Sequence, residues 1–481
     1  MHKEVSLRSL PKPNPANPPG QANRSRVSGI RGRLLRLPLM FSSGPMLAAG
    51  WAQAEVTVLR HVTLIDGNGG APRRDAALVI EGEKIAAITD ANAPTPKGAK
   101  VVDLPGKTIL PQFISVHAHL GLVKGTEAAW SNFTRDNVER QLLQYQDYGV
   151  GAVLCMGTDQ EEIWEWRARS HAGDFPGAQI YTAGRGFGVA GGIPPAQPGH
   201  DPTFRPSTPE EAREGVRMLA ARKPDVVKIW VDDFWGQYPK MKPEISAAII
   251  DEAHKAHLRV AAHVYYLADA QRLADDGVDM FAHSVRDAEI PDSLVEEMKR
   301  KHIVQIPTLS LDDFITAYAG SPVWLDDPYF RNALGPGMFE LLTSPQYRKS
   351  VQESKVTETE ARSLPIAMKN LMKLYRAGVT VVMGTDSGAN PQRVVGFGEH
   401  HELQLMVEAG LTPLEAITLA TKSGAELLGA SNEFGVLRAG LRANFIVLDQ
   451  DPSVDIRNTE TIREVWKNGE LVSHGPQQRE K

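Results

Sequence analysis

The sequence predicts a (β/α)8 barrel accompanied by a small β-sandwich built from both of its flanks, and three observations carry that prediction. Eight strand-like apolar runs recur between Leu110 and Met383, with amphipathic, helix-like stretches between most of them. Five of these runs carry a histidine, lysine or aspartate at or near the carboxyl end. Short strands punctuated by glycine lie on either side of the region. Alternation of this kind over about 300 residues is the pattern of the barrel, whose chemistry gathers at the carboxyl ends of its strands. The competing architecture, an open doubly wound sheet, lacks here the Gly-rich phosphate loop that should follow its first strand.

A chain of 481 residues can bury one large core and a smaller one. Its hydrophobic fraction of 42% and charged fraction of 23% are those of an ordinary soluble protein. The formal charge of −5, with Lys and Arg scattered, gives no basic footprint for nucleic acid. No apolar run approaches the roughly 18 residues of a membrane span. The single cysteine, Cys155, permits no intramolecular disulfide and no cysteine-based metal site, and its apolar setting Ala152–Met156 reads as a buried hydrophobe.

Residues 1–54 read as a leader. Residues 1–30 are rich in Pro, Asn, Ser and Arg without periodicity, the composition of a disordered segment. Arg31, Arg33 and Arg36 then precede the apolar Leu37–Phe41 and Met46–Ala49, and Ala52-Gln53-Ala54 closes the run. That order is the pattern of a secretory signal cut after Ala54, which would place the protein in the periplasm or outside the cell. Ser42, Ser43, Gly44 and Pro45 interrupt the apolar part, so an uncut leader on a cytoplasmic protein stays open as the alternative.

Residues 55–109 form the first part of the β-sandwich, with strands at Val56–Leu59, Val62–Ile65, Ala77–Ile80 and Lys84–Ile88 separated by turn glycines. The barrel takes residues 110–430. Its first strand is Leu110–Leu120, and the others are Ala152–Met156, Gln179–Thr182, Val226–Val231, Arg259–Val264, Met280–Ala282, Val304–Leu309 and Thr380–Met383. Helical spacing of apolar residues appears at Asn137–Tyr148, Ser246–Ala256, Ala268–Asp276, Asp292–Lys301 and Ala367–Ala377. Thr412-Pro413-Leu414-Glu415 is a capping box opening a helix through about Leu428. Strands return at Asn444–Leu448 and Ile462–Trp466, so residues 431–475 complete the sandwich.

The first strand ends in His117 and His119, which share a face because alternate strand residues do. Two imidazoles so placed suit a divalent ion such as zinc. Composition alone would supply roughly 0.4 such pairs, so the context must decide. Lys228 lies inside the apolar fourth strand, His263 ends the fifth, His283 the sixth, and Asp386 follows the eighth. A lone strand histidine is ordinarily a hydrogen-bonded core residue, and an aspartate can simply cap a loop. Lys228 resists such a reading, because an unpaired ammonium is costly to bury.

These motifs, Val116-His117-Ala118-His119-Leu120, Val227-Lys228-Ile229, Ala262-His263-Val264-Tyr265, Ala282-His283-Ser284 and Gly384-Thr385-Asp386, resemble those of the metal-dependent amidohydrolases of the binuclear type. The resemblance runs from about Val56 to Val472 and is closest to the branch of prolidase-like dipeptidases and relatives of imidazolonepropionase. It implies two divalent ions, with zinc expected and manganese or cobalt able to substitute. Lys228 would be carboxylated and bridge them; His117, His119 and Asp386 would hold one ion and His263 and His283 the other. A hydroxide activated by both metals would attack the carbonyl of an amide, in a dipeptide or N-acyl amino acid. Asp386 would serve as general base and then acid, and Tyr265 would donate to the oxyanion, with a packing role as its alternative. Gln112 and Ser115 stand where the family usually has Gly and Asp, which touches the support of the metal rather than its ligands.

Off that pattern, His254 and His257 read as helix-surface residues, and His400 or His401 is a candidate to reach the site. Gly184–Pro206, Asp232–Pro243 and the insertion from Ser310 to about Ser363 are the expected determinants of a small-molecule substrate. The aromatic insertion suggests either a lid over a partly apolar substrate or a contact in the homo-oligomer we expect. Two other readings are a mononuclear deaminase or imidazolonepropionase-like enzyme and a non-catalytic scaffold. Tyr266, three residues after His263 where such deaminases usually carry Glu, disfavours the deaminase, and Lys228 disfavours both mononuclear enzymes.

Overall fold

In the computed structural model, which describes residues 55–197, 201 and 203–476, the first two expected strands are one. β1 (Val56–Leu64) continues through a register shift between Arg60 and Val62, where His61 takes φ +61° and forms a bulge. It is followed by β2 (Arg73–Glu81), β3 (Lys84–Asp90), β4 (Lys100–Asp103) and β5 (Thr108–Pro111). The leader and its signal-like run lie outside the described residues, which form one compact unit.

The central strands follow in order: β6 (Phe113–Ala118), the hairpin β7 (Val123–Lys124) and β8 (Glu127–Ala128), β9 (Val150–Cys155), β10 (Gln179–Thr182), β11 (Val227–Trp230), β12 (Val260–His263), β13 (Met280–Ala282) and β14 (Val304–Ile306). The carboxyl-terminal strands are β15 (Phe445–Leu448), β16 (Ile462–Lys467) and β17 (Glu470–Ser473). Strands from both flanks join in one eight-stranded sheet, ordered β17-β16-β15-β5-β1-β2-β3 with β4 against β1. The antiparallel β15–β5 pair makes this union, and β5 runs almost directly into β6.

Two parallel sheets, β10-β9-β6 and β11-β12-β13-β14, make up the centre. Asp225 N donates to Thr182 O at 2.9 Å, and Phe187 bridges to Ile229, which links them on one side. On the other, Val382 N donates to Gln305 O at 3.0 Å and Val116 N to Met383 O at 3.1 Å, and Ala118 bridges to Ser387. The predicted eighth strand is therefore a stretch of single bonds between β14 and β6, and the whole succession fits a (β/α)8 barrel.

Helices pack against the outside of these strands with the stripes their sequences specify. Pro243–Lys255 starts with proline at its first turn and buries Ile245, Ile249, Ile250 and Ala253. Each such isoleucine contributes about 1.5–3 kcal/mol when fully removed from water. The Thr412–Glu415 capping box is formed, but its helix breaks at Thr421 (φ −125°, ψ −81°) into Pro413–Ala420 and Lys422–Leu427.

The insertion differs most from expectation. It is helical, with Leu309–Thr316, Pro328–Ala333, Met338–Thr343, Pro345–Gln352 and a long helix Lys355–Ala377 that starts well before Ala367. Its aromatics Tyr318, Trp324, Tyr329 and Phe330 gather with Phe314 and Phe397 in a core of their own. They pack against one another.

Candidate metal centre

The carboxyl ends of the central strands converge. His117 and His119 leave β6 with ring centroids 5.7 Å apart; His283 lies 4.6 Å from His117, and His263 lies 4.3 Å from His283. Asp386 joins the first pair, its Oδ1 lying 3.1 Å from His117 Nε2 and 2.9 Å from His119 Nε2. Potential ligand atoms of these three buried residues fall within 4.8 Å of one another. Lys228 is fully buried on β11, and its charge acts on His117, His263 and His283.

Backbone geometry at the site is unusual. His283 (φ +86°) and Asp386 (φ +61°) both occupy the left-handed region, which costs about 1–3 kcal/mol for such residues. They are held there by His283 N donating to Ile306 O at 2.9 Å and Asp386 N donating to His117 O at 2.8 Å. Gly384 lets the eighth segment come this close, since a Cβ on it would lie 2.7 Å from His117 Cβ and from Ile306 Cγ2.

Each outer histidine has one ring nitrogen engaged away from the centre. His119 Nδ1 pairs with Thr158 Oγ1 at 2.6 Å, His283 Nδ1 with Thr308 Oγ1 at 2.7 Å, and His263 Nε2 with Asp232 Oδ2 at 3.2 Å. Such bonds fix ring orientation and leave the other nitrogen for a ligand. Among the described residues His117 Nδ1 and Lys228 Nζ are buried without a hydrogen-bond partner, and His117 Nε2 meets only Asp386 Oδ1. A buried donor set with unsatisfied lone pairs fits a cation.

Electrostatics agree with that fit. Burial, reinforced by Lys228, lowers His117 to about 3; burial also lowers His263, and His283 falls well below its usual value. All three are therefore neutral imidazoles, the form that binds metals. Burial lowers the Lys228 ammonium to about 7, with Asp386 opposing. Burial pushes the Asp386 carboxyl up, but Arg393 and the hydrogen bonds of His117 and His119 hold it well below the carboxylate range. Arg393 Nη1 contacts Asp386 Oδ2, leaving Oδ1 to the histidines.

The centre opens into a cavity of about 510 Å³ bordered by His119, His263 and Asp386. Pro194 and Pro195 from the first long loop and Phe234 and Tyr238 from the second line it, whereas the insertion contributes Val356. Tyr265 sits apart. Its hydroxyl pairs with Ser363 Oγ at 2.9 Å, and the Arg286 guanidinium lies 4.8 Å from its ring centroid. His400 and His401 do not reach the site. His400 Nε2 pairs with Tyr148 O at 2.9 Å, and His401 Nε2 with Asp313 Oδ2 at 2.7 Å. His254 is an exposed helix residue as expected, whereas His257, also exposed, lies just beyond the end of the helix Pro243–Lys255 with φ +57°.

The two departures in the first strand have visible counterparts. Gln112 Nε2 donates to Trp466 O at 3.1 Å, and its side chain fills the space that a Cβ on Gly151 would need. Ser115 Oγ donates to Glu399 Oε1 at 3.1 Å. No motif in the sequence marks Gly151 or Glu399, or the partners Thr158, Asp232, Thr308 and Arg393.

Comparison with known proteins follows the same lines. The model of the Amidohydrolase family matches residues 108–472. The imidazolonepropionase of Flavobacterium psychrophilum is 24% identical over 418 residues, covering 80% of this chain and 89% of that protein. A crystal structure of a Xaa-Pro dipeptidase with bound methionine in the active site superposes with a TM-score of 0.70 at 22% identity, over 87% of this chain and 100% of that one. The ochratoxinase of A. niger gives 0.66 at 23%, over 88% and 96%. By the extent of the family match, the chain belongs to the amidohydrolase family.

Proposed function

We propose that the protein is a metal-dependent hydrolase of C–N bonds that works with two divalent ions, zinc being the expected metal. His117, His119, Lys228, His263, His283 and Asp386 would hold them, with Lys228 as its carbamate. One observation carries this reading: Lys228 is fully buried beside three neutral histidines, and among the described residues its Nζ has no hydrogen-bond partner, facing only the Trp230 ring at 5.4 Å. Burial favours the neutral amine that captures CO₂, and the resulting anion offsets the charge of two cations. The reading takes residues 110–430 as a closed barrel, with residues 55–109 and 431–475 as a sandwich beside it.

When bound, the ions supply an acidified water near neutral pH and polarise the scissile carbonyl. Asp386 takes the water's proton on Oδ1 and delivers it to the leaving nitrogen, while Arg393 on Oδ2 fixes the carboxylate's direction. Tyr265 is the proposed oxyanion donor, exchanging its bond to Ser363 for one to substrate. The substrate proposed is a dipeptide or N-acyl amino acid, its apolar part lying against Trp230, Phe234 and Ile193. The likeness to a Xaa-Pro dipeptidase supports that class.

A second reading, an imidazolonepropionase-like enzyme with one ion, is favoured by a relative that aligns over most of its length. Lys228 has no role in it. Metal analysis after gentle purification separates the two: close to two ions per chain supports the first, and a stable content of one, unchanged by added zinc and bicarbonate, overturns it. Screening dipeptides and N-acyl amino acids then tests the substrate class, and turnover of neither would refute it.

A further inference from the structure

Glu399 lies on the helix Phe397–Ala409 and is wholly enclosed. Its Oε1 accepts from Ser115 Oγ at 3.1 Å, Thr385 Oγ1 at 2.7 Å and Ser387 Oγ at 2.7 Å, and its Oε2 accepts from Gly396 N at 2.9 Å. The Tyr145 hydroxyl stands 2.6 Å from Ser387 Oγ and can donate to it, extending the chain. Ser115 precedes His117 by two residues on β6, and Thr385 and Ser387 bracket Asp386. One carboxylate thus ties the strand that carries the histidine pair to the strained turn that carries the aspartate. None of these bonds goes to His117, His119 or Asp386, so Glu399 acts through the backbone it fixes.

We propose that Glu399 is a positioning residue that sets the spacing of His117 and His119 against Asp386, supplying from the helix the carboxylate support that an acid at position 115 would supply from the strand. Ser115 Oγ lies 3.1 Å from Glu399 Oε1 and 3.5 Å from Thr385 Oγ1, so a carboxylate at 115 would reach the same hydroxyl while abutting Glu399. Two buried carboxylates in contact cannot both stay ionised, whereas an acid at 115 alone could accept from Thr385 in place of Glu399. Ser at 115 and Glu at 399 therefore belong together.

The test compares E399A, S115D and S115D/E399A with the parent, reading the zinc dissociation constant by chelator competition and the urea midpoint of the chelated protein. E399A is expected to weaken zinc about 10–100-fold, the range for groups that orient ligands. S115D is expected to lower both zinc affinity and midpoint, and S115D/E399A to return both close to the parent. A double variant no better than E399A overturns the proposal, as does S115D behaving like the parent. A folded E399A with parental zinc affinity and a lowered midpoint would mean a structural role alone, and also overturns it. Should E399A fail to fold, E399Q against S115D/E399Q carries the same comparison. The proposal rests on the metal reading only through zinc as probe. A parent without zinc affinity refutes that reading, while reciprocal rescue of the metal-free midpoint still reports the exchange of carboxylates.

Discussion

Asp386 is asked to do two things at once, face the histidine nitrogens and move a proton, and its two oxygens are divided between Arg393 and the imidazoles. Asp386→Asn keeps the shape and one acceptor but removes the basic oxygen. We expect a folded, metal-retaining variant whose kcat falls by about 10²-fold or more; unchanged turnover in the metal-loaded variant would refute the assignment. Asp159 offers a separate test of buried charge. Burial raises its carboxyl from 3.8 to about 7, although Thr182 donates to it. Between those values the native state holds a proton that the unfolded chain has released, so this group's contribution to stability falls as pH rises from about 4 to 7. Asp159→Asn mimics the protonated acid. It should flatten that part of the urea-midpoint profile and gain on the order of 2 kcal/mol at pH 7. The proposed ligands were legible in the sequence because each is a polar residue where an apolar strand should continue or end. Thr158, Asp232 and Thr308 were not, because a threonine or aspartate in a loop is ordinary until its partner is known.

At the scale of elements, Gln112 and Gly151 show how neighbouring strands accommodate a departure. The Gln112 side chain lies over Gly151, which is why the second strand carries glycine there. Gly151→Ala should destabilise the protein by roughly 1–3 kcal/mol through overpacking, and Gln112→Gly should recover much of that loss in the same denaturation assay. Additive losses would contradict the pairing. Strands with one buried core face and helices with one apolar stripe were readable from their periods. The helix Phe397–Ala409 was not, because it buries Glu399, His400, His401 and Glu402 along with its apolar residues and so shows no amphipathic stripe. The insertion differs for the opposite reason: its aromatics look available in the sequence, and only packing shows that they fill a core of their own.

For the molecule as a whole, the candidate ligands come from segments separated by up to 269 residues, from His117 to Asp386, so a bound ion would join parts of the chain far apart in sequence. Removing metal with a chelator should lower the unfolding temperature, and restoring zinc should raise it again in proportion to the logarithm of free zinc. A midpoint indifferent to both would count against a resident metal. The sequence by itself determined the order of the central strands, the union of the two flanks in one β-unit, and the residue types available to a metal. Those are written locally, in hydrophobic period and in polar residues that interrupt it. Only the tertiary structure decided that Ser115 is served by Glu399, that Gly151 yields space to Gln112, and that the aromatic insertion turns inward. Each of these is a contact between residues distant in the chain, and packing and hydrogen bonding across such distances leave no period in the sequence.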